Sequence, residues 1–206
     1  MTRGRPREFD PEKALDAALL LFWRHGYEGT SLSALTKAMS INMPSLYAAF
    51  GNKETLFKKA LARYIQGPAS YLPNALKEPN ARRVVEKLFT GALDMVMDPH
   101  HPDGCLLVQG ALASGPDADS IRNELKLKRA AAEAAVRRRF EFAIQHHDLP
   151  AGVDPAQLAR FVITIIWGLS VQAAGGATRA QMKEVTELAM QRWPRAAQSR
   201  ARRTGA

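Results

Sequence analysis

The chain has 206 residues, 46% hydrophobic and 24% charged, the make-up of a folded globular protein of one large or two small domains. A single cysteine excludes an intramolecular disulfide and fits a reducing compartment. The apolar runs are short and interrupted, and the basic N-terminus lacks the apolar stretch of a signal peptide, so a cytoplasmic protein with no membrane segment is expected. A net charge of +9 and a pI near 10.0 favour a polyanionic partner. The charge is clustered: residues 1–65 hold ten Lys and Arg against six Asp and Glu, and residues 195–206 hold four Arg and no acid.

In chain order, MTRGRPRE opens the protein. Gly and Pro deny it a helix, and Arg3, Arg5 and Arg7 alternate along an extended arm. Its Arg-Gly-Arg-Pro core resembles the AT-hook, a basic segment that lies in a narrow minor groove. The same composition also fits a solvated tail that touches phosphates transiently. Asp10-Pro11 predicts the first helix, with Asp10 as N-cap, Pro11 in the first turn and Glu12 suited to the dipole. Leu15, Ala18, Leu19, Phe22 and Trp23 recur on one face, and His25-Gly26 ends the run.

The stretch TSLSALTKAMSINMPSLYAAFGNKETLF, Thr30 to Phe57, predicts two short helices joined by a tight turn, then the start of another. Thr30 is read as the N-cap of the first, which carries Leu32, Leu35, Ala38 and Met39 on one face. Ser40-Ile41-Asn42 is too short for anything but a turn, and Ile41 is expected to point inward. Asn42 caps the second helix, with Pro44 harmless in its first turn. Leu46 and Phe50 face inward, leaving Met43, Pro44, Ser45, Tyr47 and Ala48 outside. Gly51-Asn52 ends it, and Asn52 caps a helix beginning at Lys53. A helix of about two turns cannot hold itself together in water, so its neighbours must hold it. Its small, mildly polar outer face suits a groove, as in the helix-turn-helix, whose second helix enters the DNA major groove.

The run SINMPSLYAAFGNKETLF resembles the TetR family of transcriptional regulators. The matching positions are Ser40, Ile41, Asn42, Leu46, Tyr47, Phe50, Asn52, Lys53, Glu54 and Leu56, and the match runs from Phe9 to about Leu61. Ser40 stands where the family usually has glycine. The resemblance implies an all-α protein with a three-helix DNA-binding domain at 1–65, a larger ligand-sensing and dimerisation domain at 66–194, and a basic, unstructured tail at 195–206. The DNA-binding set it implies is Arg3, Arg5, Thr30, Ser31, Met43, Pro44, Ser45, Tyr47, Ala48 and Lys53. The partner is a palindromic double-stranded DNA operator bound by a homodimer, released by a small-molecule effector.

Beyond Lys53, the stripe Leu56, Phe57, Ala60, Leu61 and Tyr64 reaches toward the second half, and Gly67-Pro68 and Pro73 interrupt it. Helical patterns follow at roughly 81–97, 105–114, 118–147, 155–174 and 178–192, with no alternating β-branched runs. The 155–174 helix is apolar nearly all round, which fits either a central core helix or a helix shared with a partner. The resemblance favours a four-helix dimer seam, with Phe161, Val162, Ile165, Leu169, Met182, Val185 and Leu188 at the interface. Leu93, Met97, Cys105, Leu107, Gln109, Phe140 and Trp167 are candidates for an effector pocket, though each alone also reads as plain core.

Cys105 follows Gly104 at a predicted helix start, a position that lowers a thiol pKa, and some family members sense electrophiles or oxidants this way. A small buried apolar residue is the alternative. His100-His101 with Asp103, and His146-His147, do not have the spacing of a metal site, and no cofactor is expected. Arg137, Arg138 and Arg139 fit a solvated face or inter-helix ion pairs. No catalytic spacing, phosphate-cradling loop or paired carboxylates support an enzyme. A DNA-binding protein without a ligand remains open, against which stands the long apolar C-terminal region.

Overall fold

A computed structural model describes residues 9–112 and 118–194, and every regular element among them is helical. Arg3, Arg5 and the basic tail from 195 lie outside the described residues. Local chemistry starts and stops the first helices. Asp10 accepts from the backbone N–H of Glu12 at 2.9 Å and opens α1, Pro11–His25, which Gly26 closes at φ 70°. The hairpin follows as α2, Leu32–Ala38, and α3, Met43–Phe50. Asn42 and Asn52 cap α3 and α4, each accepting from the third residue onward at 2.8 Å. The turn between α2 and α3 places Ser40 at φ 54°, the left-handed conformation that glycine adopts without penalty.

α4, Lys53–Gln66, crosses α1 and closes the head. Phe22 meets Phe57 edge-on at 5.1 Å, and Leu35, Leu46 and Leu56 are fully buried around them. Each such side chain contributes roughly 1.5–3 kcal/mol relative to exposure. Ile41 is half-buried and packs on this core. Arg63 of α4 reaches back to Asp16 at 2.8 Å and to Glu12 at 2.8 Å on α1.

Gly67 ends α4, and a 3-10 turn at Pro68–Ser70 leads into α5, Tyr71–Ala75. The prolines predict only a break here. The chain instead makes two short turns, because Tyr71 packs on Gly91, where a Cβ would lie 2.6 Å from that of Tyr71. The C-terminal region then assembles from α6, Ala81–Val96; α7, Leu106–Leu112; α8, Asp119–Gln145; α9, Pro155–Ala174; and α10, Arg179–Gln191. These spans agree with the sequence periodicity to within two residues.

α9 differs from its reading in two ways. It is long and apolar enough, by composition, to cross a membrane, but it packs against α6, α8 and α10. It is also not enclosed all round: Val162, Ile163, Ile166 and Leu169 are buried, whereas Phe161, Thr164, Gly168 and Val171 are open.

Candidate functional site

The head presents one outward helix. α3 is eight residues long and is pinned from beneath by Leu46 and Phe50, both at most 5% exposed. Pro44, Tyr47 and Ala48 are exposed on its other side, and Met43 and Ser45 are half-buried beside them. Lys53 stands at the first position of α4, next to the unpaired N–H groups of that helix end. Its ammonium sits 4.4 Å from the centre of the Tyr27 ring. Partial burial lowers its pKa and the nearby Glu28 opposes that shift. Tyr27 was not legible as a site residue, because nothing in its local pattern marks a partner twenty-six positions on. Lys59 donates to the Ala49 carbonyl at 3.3 Å, placing a cation at the C-terminal end of α3, where the helix dipole favours one.

Thr30 requires correction. The N-cap of α2 is Ser31, whose hydroxyl accepts from the Ala34 N–H at 3.1 Å. Thr30 is fully buried, and its hydroxyl donates to the Gly26 carbonyl at 2.7 Å, tying the end of α1 to the start of α2. A side chain so enclosed cannot meet DNA. Ala38, expected on the inner face of α2, is exposed.

A cavity of about 290 Å³ opens between α4, α5, α7, α8 and α9. Cys105, Leu107 and Trp167 line it, as the sequence suggests, but Leu93, Met97, Gln109 and Phe140 do not. Leu93 faces a separate groove beside α10, and Met97 is 36% exposed. Phe140 packs on Trp193 with ring centres 5.6 Å apart. Gln109 is wedged against Gly104, whose φ of 82° and lack of a Cβ admit it; a Cβ there would lie 2.5 Å from its Nε2. Periodicity identifies which residues turn inward but not which void they meet. Tyr64, Ile65 and Tyr71 are among the other wall residues and were missed for that reason.

Of the two readings of Cys105, the structure favours the small buried residue over the activated thiol. The Tyr64 hydroxyl lies 3.0 Å from Cys105 Sγ and 3.3 Å from Met95 Sδ, and the thiol is buried. Burial pushes its pKa up, outweighing the hydrogen bonds that act to lower it. It is a protonated thiol at rest, not a helix-activated thiolate.

The cavity region is joined to the head in three places. α4 carries both Lys53 and Tyr64. In addition, Trp23 of α1 meets Tyr64 edge-on at 4.7 Å and donates its indole N–H to the Gly104 carbonyl at 3.2 Å. His101 stacks on the same indole at 5.1 Å. A third link lies at the near end of α4. Glu54 accepts from Lys58 at 2.7 Å and from Ser120 of α8 at 2.7 Å, and the Lys58 hydrogen bond holds its carboxyl below the usual range.

The predicted interface residues divide. Val162, Leu169 and Met182 are at most 2% exposed and belong largely to the protomer's own core. Phe161, Val185 and Leu188 are 46%, 48% and 59% exposed, and Ile165 is half-buried. The last lines a groove of about 710 Å³ between α9 and α10, together with Val185.

Among the described residues, no group of three His, Cys, Asp or Glu side chains is placed to hold a metal ion. His100 and His101 both turn to Asp98, at 2.8 and 3.5 Å. His146 lies 2.8 Å from the Phe142 carbonyl. Arg137 pairs with Glu141 at 3.2 Å, and Arg139 donates to the Glu78 carbonyl at 3.0 Å.

Comparison with known proteins agrees with this geometry. A family model described as bacterial regulatory proteins, tetR family, matches residues 14–60. Another, described as tetracyclin repressor-like, C-terminal domain, matches residues 81–197. The chain is similar to the HTH-type transcriptional repressor ComR of Escherichia coli (strain K12), 34% identical over 198 residues, covering 94% of this chain and 93% of that one. It is also similar to the repressor BdcR of the same organism, 32% identical over 181 residues, covering 87% and 86%. Among solved structures, a cysteine mutant of the TetR family transcriptional regulator CifR, complexed with 26-bp double-strand operator DNA, superposes with a TM-score of 0.89. That chain is 41% identical, with 93% of this chain and 100% of that one covered. By both its DNA-binding head and its C-terminal domain, the chain belongs to the TetR family of bacterial transcriptional regulators.

Proposed function

We propose that this protein is a repressor that binds a palindromic operator as a homodimer and leaves it when a small molecule enters the α4–α9 cavity. One observation carries the reading: Tyr64 and Ile65 in the cavity wall belong to the same helix whose first residue, Lys53, stands at the candidate DNA face. A ligand changes DNA affinity only if it favours one arrangement of the heads over another. A helix touching both sites is the simplest way to set that arrangement. The operator complex of CifR and the repressor names of ComR and BdcR support the DNA partner.

In this reading Lys53, Ser31 and Tyr47 contact phosphate, while Met43, Pro44, Ser45 and Ala48 approach bases. The outward face of α3 holds no Arg, Asn or Gln, so thymine-methyl contacts and DNA shape carry much of the specificity. The open apolar faces of α9 and α10, with Phe161, Val171, Val185 and Leu188, form the dimer seam. It sets the two recognition helices about 34–36 Å apart, one turn of DNA. The test is a footprint on the DNA upstream of the protein's own gene. A protected pair of inverted half-sites supports the reading, and protection no better than on random duplex overturns it.

A second reading has its own observation: Cys105 lines the same cavity. Covalent capture of an electrophile there would fill it as a reversible ligand does. Cys105→Ser abolishes release from DNA in the covalent case and spares it in the reversible one, and Trp167→Ala does the reverse.

A further inference from the structure

We propose that Tyr71 makes the cavity selective for a small neutral molecule with an apolar body and one hydrogen-bond-accepting oxygen, to which the Tyr71 hydroxyl donates. The inference rests on the cavity being the effector site. It follows from which donors are already used. The Tyr64 hydroxyl is engaged with Cys105 and Met95, at 3.0 and 3.3 Å. The Tyr71 hydroxyl makes no hydrogen bond among the described residues. Tyr71 and Cys105 both line the cavity. Desolvation raises the Tyr71 pKa, so it stays a neutral donor. The side chain is half-buried and its hydroxyl keeps an unused donor, so a ligand oxygen in the cavity gains a hydrogen bond there. The ring cannot readily swing away, since Gly91 lies directly against its Cβ.

The rest of the wall fixes the ligand's other features. Leu72, Ala131, Ala132, Ile163 and Trp167 are apolar, and among the described residues no carboxylate lines the cavity, so a cation finds no partner there. Lys128 is the one charged group in the lining among the described residues, and it pairs with Glu124 at 3.3 Å. An anion would have to compete for it. A volume of about 290 Å³ sits at the low end of ligand pockets, the size for a substituted benzene ring.

Acetophenone and ethylbenzene share a ring and a two-carbon chain and differ in one acceptor oxygen. Their binding to the full-length protein can be followed by calorimetry, with benzoate as the anionic control. The expected result is acetophenone binding at least tenfold tighter than ethylbenzene. Tyr71→Phe, checked for unchanged helicity, should erase that preference and leave ethylbenzene within twofold. Equal binding of the two by the wild type overturns the role of Tyr71, as does a Tyr71→Phe loss common to both. Benzoate binding tighter than acetophenone overturns the neutral class in favour of Lys128. If none of the three binds, the cavity reading fails and takes this inference with it.

Discussion

Trp23→Phe probes how occupancy of the cavity reaches the DNA-binding head. The indole is 1% exposed, and its N–H is donated to the Gly104 carbonyl at 3.2 Å. Gly104 precedes Cys105, and the indole edge meets Tyr64, so both lie between the cavity and α1. Phenylalanine keeps an aromatic ring but leaves that carbonyl without its donor, a loss of about 1–3 kcal/mol. The same bond is a route for coupling, and inter-site coupling is typically about 1–3 kcal/mol, or 5–150-fold in affinity. A cavity-filling Ala132→Phe substitution can stand in for ligand, and a double-mutant cycle on operator affinity isolates the shared term. Ala132→Phe is expected to weaken operator binding about tenfold in the wild type and less than about threefold beside Trp23→Phe. An equal loss in both backgrounds would refute coupling through Trp23 and leave α4 and the Glu54–Ser120 contact as the routes.

Further expectations concern single features. Ser40→Gly relieves a left-handed backbone and should raise stability by about 0.5 kcal/mol after the entropy glycine adds to the unfolded chain, while Ser40→Val should cost about 1–2 kcal/mol, both read by urea denaturation. Lys53→Ala should weaken binding to all sequences alike and reduce the salt slope by about one, whereas Ser45→Ala should change preference between sequences. Leu188→Glu places a charge on the open α10 face and should yield a monomer by light scattering without unfolding the chain, because that side chain is 59% exposed in the protomer. The Cys105 thiol is pushed up by burial, so its thiolate fraction at neutral pH lies below that of free cysteine. Iodoacetamide labelling should therefore be slower than that of free cysteine at pH 7.5 and still climb above pH 9; fast labelling at neutral pH would contradict the burial.

What the sequence disclosed was decided locally. Asp10, Asn42 and Asn52 cap helices because their side chains reach backbone N–H groups two or three residues on, a matter of adjacent chemistry. The helix spans of the C-terminal region follow from apolar periodicity for the same reason. Thr30 and Ser31 show the limit of that reasoning: both are good caps, and burial against Leu21 and Gly26 decides between them. The cavity was only half legible. Leu93, Phe140 and Trp167 all carry inward-facing patterns, yet helix rotation and long-range packing send the first two elsewhere. The two readings of Cys105 could not be separated in the sequence, because its burial, which raises the thiol pKa, depends on long-range packing that includes Tyr64, forty-one positions away. α9 hid its open face because Phe161 and Val162 are equally apolar in the chain and differ only in which side of the helix meets α6 and α8.

The account stands or falls on sequence-selective binding by a dimer. The direct measurement is titration of the wild-type protein against duplex from upstream of its own gene and against random duplex at physiological salt, with hydroxyl-radical protection on the former. Affinity at least about 10³-fold higher for the upstream duplex, with two protected half-sites one helical turn apart, is the predicted result. Equal affinity for both, or a single protected half-site bound by a monomer, would contradict it.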